Sequence, residues 1–160
     1  MVLFNSKNNS NLSQWQVLND VVMGGLTKAN LIINKYGFVE FSGHVSLENN
    51  GGFASVKYHI NPIEVMEFTK LYVKVKGDGK RYQLRLKANE TDKHSYMTYF
   101  ETKNTWEEHE FVLANFYPTY RGRHLELPNF SGEKLEELGF MIANNKPQDF
   151  KLEIEQLRLL

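Results

Sequence analysis

The chain has 160 residues, 41% hydrophobic and 13% aromatic, with 19 Lys plus Arg against 19 Asp plus Glu and no Cys. That length favours one domain whose core buries roughly 70% of the unfolded surface, and no stretch approaches the ~20 consecutive apolar residues of a membrane helix. Balanced charge removes any global field for nucleic acid or anionic lipid, so recognition by charge requires a local patch; the lack of Cys excludes disulfides, thiolate catalysis and Cys-ligated metals.

In chain order, Met1-Val2-Leu3-Phe4-Asn5-Ser6-Lys7 has neither the apolar centre of a secretory signal nor the Arg-rich character of a mitochondrial presequence, so a cytoplasmic protein is the expectation. Residues 31–33 and 37–41 flank the turn-like Asn34-Lys35-Tyr36 and predict consecutive antiparallel strands. Asn49-Asn50-Gly51-Gly52 then predicts a type I′ hairpin centred on Asn50 and Gly51. It pairs Val45 with Val56 and Leu47 with Ala54 on the core face. His44, Lys57, Ser46, Ser55, Glu48 and Phe53 fall on the other face, where Phe53 is the misfit.

Leu71, Val73 and Val75 alternate with Tyr72, Lys74 and Lys76; beyond Gly77-Asp78-Gly79, Tyr82, Leu84 and Leu86 alternate with Arg81, Gln83, Arg85 and Lys87. A second hairpin centred on Asp78-Gly79 pairs Val75 with Tyr82, Val73 with Leu84 and Leu71 with Leu86. Residues 95–101 and 106–113 read as further strands, and 115–132 as a long irregular loop of the kind that is often functional. Residues 133–138 predict the chain's one short helix and 139–143 a buried strand. In the last strand Phe150, Leu152 and Ile154 precede Leu157 and Leu159 one position out of phase, which requires a bulge near Gln156. About nine strands with turn signals every ten residues or so argue for an all-β sandwich.

Three stretches in order, Asn19-Asp20-Val21-Val22-Met23-Gly24-Gly25, Phe41-Ser42-Gly43 and Ser46-Leu47-Glu48-Asn49-Asn50-Gly51-Gly52-Phe53-Ala54-Ser55, resemble the signature of the complex I intermediate-associated protein family. Further matches follow at Lys76-Gly77-Asp78-Gly79, Phe116-Tyr117-Pro118-Thr119-Tyr120-Arg121-Gly122-Arg123 and Gly139-Phe140-Met141-Ile142. The chain departs at Val21, where the family usually has Gly, and at Lys57, where Arg is frequent and the planar guanidinium fork is lost. The resemblance implies a galactose-binding-like antiparallel β-sandwich of jelly-roll topology. It also implies an assembly or chaperone role, since eukaryotic members assist assembly of respiratory complex I, and it carries no catalytic residues over. A bacterial member of the family is the simplest reading of such a chain.

For chemistry the inventory is thin. His44, His59, His94, His109 and His124 show no metal-ligand spacing, and Asp20, Glu48, Asp78 and Glu101 form no recognisable acid pair. Ser55 has no nucleophile elbow, and Gly77-Asp78-Gly79 neither opens a helix nor ends as a phosphate loop does. The sequence argues for a binding module and not an enzyme, with a carboxylate-dependent enzyme as the third choice. No cofactor is expected. A structural Ca²⁺ is common in related carbohydrate-binding folds, but only Glu153 and Glu155 present themselves as ligands.

Three recognition candidates remain. Asn49, Asn50 and Phe53, with Ser55 and Lys57, form a rim where Phe53 is either a stacking platform or the centre of a small second core covered by Phe116, Tyr117 or Tyr120. Tyr72, Lys74, Gln83 and Arg85 form a basic strip that either lines a groove or is neutralised by Glu101, Glu107, Glu108 and Glu110. Tyr120, Arg121 and Arg123 suit an acidic peptide or single-stranded nucleic acid, or else pin their own loop. A protein partner is expected first, a glycan bound near Phe53 and Tyr72 second, and nucleic acid last.

Overall fold

The computed structural model describes residues 1–8, 11–19 and 24–160; the tight turn read at Val22-Met23-Gly24-Gly25 and the candidate acid Asp20 fall wholly or partly on residues 20–23, outside the described residues. Thirteen strands are described: β1 Val2–Asn5, β2 Trp15–Asn19, β3 Lys28–Ile33, β4 Val39–Val45, β5 Ala54–Glu64, β6 Lys70–Lys76, β7 Arg81–Lys87, β8 Ser95–Glu101, β9 Trp106–Val112, β10 Tyr117–Tyr120, β11 Arg123–His124, β12 Lys134–Ile142 and β13 Gln148–Leu159. They form an antiparallel β-sandwich. One sheet of six strands runs β3-β4-β13-β6-β9 with β1 also on β13, and one of seven runs β11-β10-β8-β7-β12-β5-β2. Among the described residues no helix is long and apolar enough to cross a membrane.

The inward phase of each strand is the apolar one. Phe41, Leu71, Val73, Val75, Leu152 and Ile154 of one sheet meet Val56, Tyr82, Leu84, Leu138 and Phe140 of the other, and all are buried. At about 25 cal/mol per Å² such a shared face supplies the principal driving force for the sandwich. The β3–β4 hairpin forms as expected around Asn34, whose N–H bonds the Phe38 carbonyl at 2.9 Å, with Gly37 at φ 85°. The bulge expected near Gln156 is also present: the β13–β6 ladder slips between Ile154 and Gln156, which returns Leu157 and Leu159 to the core.

Both long hairpins read from turn signals are absent, for one reason. After β4 the chain crosses to the other sheet, so Val45 faces Gln148 of β13 while Val56 lies between Phe140 of β12 and Val17 of β2. Glu48–Asn50 makes one 3-10 turn in which Asn49 takes φ 53°, and Gly51 has φ −72° where a type I′ turn needs a positive value. Leu47, expected inside, is exposed. Gly77-Asp78-Gly79 likewise joins different sheets: β6 pairs with β9 and β13, and β7 with β8 and β12. The corner is closely packed. A Cβ on Gly77 would overlap the Thr102 side chain, whose hydroxyl donates to the Lys80 carbonyl at 2.7 Å. Asp78 is held there too, accepting from the Tyr82 hydroxyl at 3.0 Å and from the Lys151 N–H at 2.8 Å.

In place of the helix expected at 133–138, β12 begins at Lys134. Leu135 and Leu138 are both fully buried although three apart, the spacing that reads as helical. The ladder with β5 slips between Leu135 and Glu137, opposite a stretch of β5 containing Pro62, and the facing changes phase there. The loop expected at 115–132 contains β10 and β11. β10 extends the seven-stranded sheet by pairing Tyr117 with Met97 and Thr119 with Ser95.

Candidate functional site

Alternation within β7 sends Tyr82, Leu84 and Leu86 inward and leaves Arg81, Gln83, Arg85 and Lys87 on the outer face of the seven-stranded sheet. Cross-strand pairing then builds two rows across that face. One runs Ser55, Met141, Gln83, Tyr99, and the next runs Lys57, Gly139, Arg85, Met97, Tyr117. Gly139 has no room for a side chain, because a Cβ would approach the Val56 carbonyl oxygen to 2.8 Å, so the second row dips between Lys57 and Arg85.

Over these rows lies a groove of about 760 Å³. Gln83, Arg85, Met97, Tyr99 and Met141 make its floor. Gly51, Gly52 and Phe53 line one rim, and Tyr117, Thr119, Arg121, Gly122 and His124 form the opposite wall, with Ala143 and Asn145 beside them. The wall is a two-residue hairpin: Tyr120 pairs with Arg123, while Arg121 and Gly122 take φ 50° and 77°. This is the positive-φ turn chemistry that the sequence advertised elsewhere. Arg121 and Asn145, at φ 56°, are two of the three non-glycine residues with positive φ among those described, and both line the groove; the third, Asn49, precedes the Gly51–Phe53 rim by two residues. Such backbone costs of order 1 kcal/mol and persists where its surroundings hold it.

Arg85 is the principal charge of the floor. Its Nη1 donates to Gln83 Oε1 at 2.7 Å and contacts Met97 Sδ at 3.6 Å. Among the described residues it forms no salt bridge with a carboxylate: the nearby Glu137 lies 3.7 Å from Lys57 Nζ. Burial pushes the Arg85 pKa down, partly offset by the phenols of Tyr117 and Tyr99 and by Glu137. Burial also lowers that of Lys87, whose Nζ donates to the Asp92 carbonyl at 2.6 Å. Tyr99 is 41% exposed, with the Arg81 guanidinium 4.1 Å from its ring centre. The Tyr117 ring meets His124 at 4.6 Å, and burial raises its pKa. Among the described residues no carboxylate lines the groove.

The expected residues divide. Phe53, Gln83, Arg85 and Arg121 come together in the groove. Phe53 is half-buried at the rim; of the rings considered for covering it, Phe116 is fully buried in the main core against Phe111 and Tyr117 lines the same groove. Ser55 is buried and donates to the Leu18 carbonyl at 2.8 Å, so it braces β5 on β2. Lys57 is on the same face beyond the groove; Asn49 and Arg123 are exposed outside it, and Tyr120 packs with Arg121 5.3 Å from its ring. The side chain of Asn50 lies outside what the structure describes.

Tyr72 and Lys74 do not share a groove with Gln83 and Arg85, because β6 belongs to the six-stranded sheet. There the Tyr72 hydroxyl donates to Glu108 Oε1 at 2.6 Å, the Arg158 guanidinium lies 4.2 Å from its ring centre, and Lys74 Nζ meets Glu155 Oε2 at 2.6 Å. Burial, with Glu108 adding to it, pushes the Tyr72 pKa up to about 12, and the bond to Glu155 raises that of Lys74. Glu153 accepts from Asn34 Nδ2 at 2.7 Å, so both carboxylates considered for Ca²⁺ serve β13 packing. No group of three potential metal ligands occurs among the described residues. Of the described acids considered for catalysis, Asp78 is held at its corner and Glu101 lies opposite Arg81. His44 and Asp149 meet at 2.7 Å, both on open surface.

Met97, Tyr99, His124, Met141 and Asn145 were not singled out as floor or wall residues, whereas Tyr117 and Thr119 belong to the loop already read as a recognition candidate. The usable signal lay in β8, where Met97 and Tyr99 alternate with Tyr96 and Phe100 and so place apolar residues on both faces.

Solved structures match this fold over nearly the whole chain. A family 11 carbohydrate-binding module from Clostridium thermocellum, in complex with a β-1,3-1,4-mixed-linked tetrasaccharide, superposes with a TM-score of 0.68 at 15% identity, covering 99% of this chain and 94% of that one. An exo-β-agarase gives 0.59 at 11% identity over 99% of this chain and 25% of its own. The glycoside hydrolase domain of Endo-D from Streptococcus pneumoniae R6 gives 0.57 at 17% identity, over 91% and 21% respectively. These likenesses establish the sandwich fold alone. None of the curated proteins matches the chain by sequence at a significant level. The sequence profile of Complex I intermediate-associated protein 30 (CIA30) matches residues 2–154, and the chain therefore belongs to the CIA30 family.

Proposed function

We propose that this protein is a non-catalytic binding module that receives a segment of a protein partner in the groove of its seven-stranded sheet, in keeping with an assembly role for its family. The carrying observation is the composition of the floor. Met97 and Met141 lie with Gln83, Arg85 and Tyr99, and no carboxylate among the described residues lines the groove. Methionine is adaptable, and Met-rich surfaces suit varied polypeptide side chains. Sugar hydroxyls need acceptors as well as donors, and among the described lining residues the acceptors are amides, hydroxyls, the His124 ring and backbone.

The test is affinity capture from native lysate with the wild-type protein, Phe53→Ala and Tyr99→Ala, beside a glycan array. A specific polypeptide retained by the wild type and lost by both variants, with a silent array, supports the reading. A glycan response abolished by Tyr99→Ala overturns it. That second reading has its own support, since exposed Tyr99, Tyr117 and the amides of Gln83 and Asn145 line one groove on a fold similar to a module solved with a tetrasaccharide.

A further inference from the structure

We propose that the groove selects its partner by a carboxylate, with Arg85, assisted by Arg121 at the rim, receiving an Asp or Glu side chain of an extended polypeptide while Met97 and Met141 take the apolar residue beside it. This rests on the polypeptide reading above and adds the chemistry of the segment.

The first ground is the state of the guanidinium. Arg85 sits in the floor with Nη1 turned to Gln83 and Met97, while its Nε and Nη2 donors hold no partner among the described residues. Arg85 is half-buried, and a cation partly withdrawn from water gains from a counter-charge. A carboxylate arriving from a ligand would neutralise it and accept two parallel N–H bonds, a geometry the planar fork favours.

The second ground is the surrounding field. The net charge of the chain is zero, yet this face carries Arg81, Arg85, Lys57 and Lys87, with Arg121 above them. Against these stand Glu101, opposite Arg81, and Glu137, bridged to Lys57. Among the described residues no acid lines the groove, so the described charges there attract a negative segment. Arg121 adds a cation held at the rim by a left-handed backbone at φ 50°.

The third ground is the spacing along the sheet. Gln83 and Arg85, like Met97 and Tyr99, lie two residues apart on the same face, the repeat at which an extended peptide presents alternate side chains. A segment carrying an acid beside apolar residues matches both kinds of floor.

The experiment selects a displayed library of random nonapeptides on the wild-type protein, Arg85→Gln and Arg121→Gln, then measures the best binders by fluorescence anisotropy at low and physiological salt. Expected are an excess of Asp and Glu over Asn and Gln among wild-type binders, a loss of about tenfold or more with Arg85→Gln, a smaller loss with Arg121→Gln, and weakening as salt rises. Arg85→Lys should recover part of the loss, and thermal melts should show Arg85→Gln folded. Arg121 is on an exposed turn, so its variant keeps the test decisive if Arg85→Gln fails to fold. Enriched peptides without acidic excess, or acidic peptides held equally by both Gln variants, overturn the carboxylate assignment and leave the polypeptide reading standing. No enriched peptide at all, with retention of oligogalacturonate, overturns both in favour of an acidic glycan.

Discussion

The outer faces of β6 and β7 begin from nearly the same pattern and end as opposites. Each strand alternates buried apolar residues with polar ones, and only residues 77–80 separate them. Tyr72 and Lys74 are closed off by Glu108, Glu155 and Arg158, whereas among the described residues Arg85 bonds Gln83 and Met97. The difference comes from the neighbours. β9 and β13 bring Glu108, Glu110, Glu153 and Glu155 to the outer face of the six-stranded sheet, while β8 and β12 bring Met97, Tyr99, Gly139 and Met141 around Arg85, with Glu101 and Glu137 set beside Arg81 and Lys57. A basic strip is thus neutralised or left open by its partner strands, which its own sequence does not specify.

The largest expected effect is at the corner that separates the faces. Gly77→Val forces a side chain into Thr102 and should cost about 3 kcal/mol, a drop of roughly 6–12 °C in a thermal melt followed by circular dichroism. A melt within two degrees of wild type would mean that β6 and β7 are not parted there and would break the comparison.

Glu155→Gln tests the closed face. It leaves Lys74, itself partly exposed, without its partner and should cost about 1 kcal/mol, with peptide binding in the groove unchanged. Equal loss of groove binding would show that the two faces are coupled.

The alkaline limb sharpens the same contrast. The folded pKa of Tyr72 is about 12, above its ordinary 10.0, and that of Lys74 is also raised. The folded state therefore holds protons that the unfolded chain releases, so stability is fully present below pH 10 and falls as pH rises toward 12. Tyr72→Phe should flatten this slope in urea midpoints taken from pH 8 to 12. Some slope should survive, because burial also raises Tyr58, Tyr96 and Tyr117.

Phe53→Ala should have the smallest effect on folding, under about 1 kcal/mol, while abolishing detectable partner capture. A melting temperature that falls with capture intact would assign Phe53 to packing and remove one rim of the groove.

How far the sequence was legible follows from the range of each signal. The β3–β4 turn, the bulge beside Gln156 and the inward phase of β6 and β7 depend on a few adjacent residues, and all were readable. Asn50-Gly51 and Asp78-Gly79 misled because chain reversal serves a crossing between sheets as well as a hairpin, while the true two-residue hairpin at Arg121-Gly122 put an arginine where glycine or asparagine is usual. Leu135 and Leu138 imitated a helix because a ladder slip changed the facing between them. The groove was half legible: Phe53 stood out as a misplaced aromatic, Arg85 and Arg121 as excess charge and Gln83 as their neighbour on the outward phase of its strand, but Met97 and Met141 carry no such mark.

Period-two alternation and the ordered signature motifs were sufficient for the sandwich class, the family and the inward faces, since side-chain direction in a strand is a local property of the backbone. Which strands lie side by side is settled by how two apolar faces close over a common core, and that closure joins residues as distant as Lys57, Arg85 and Gly139. The open charge at Arg85 and the closed one at Lys74 are products of that pairing, so only the folded sheets separate a recognition face from a structural one.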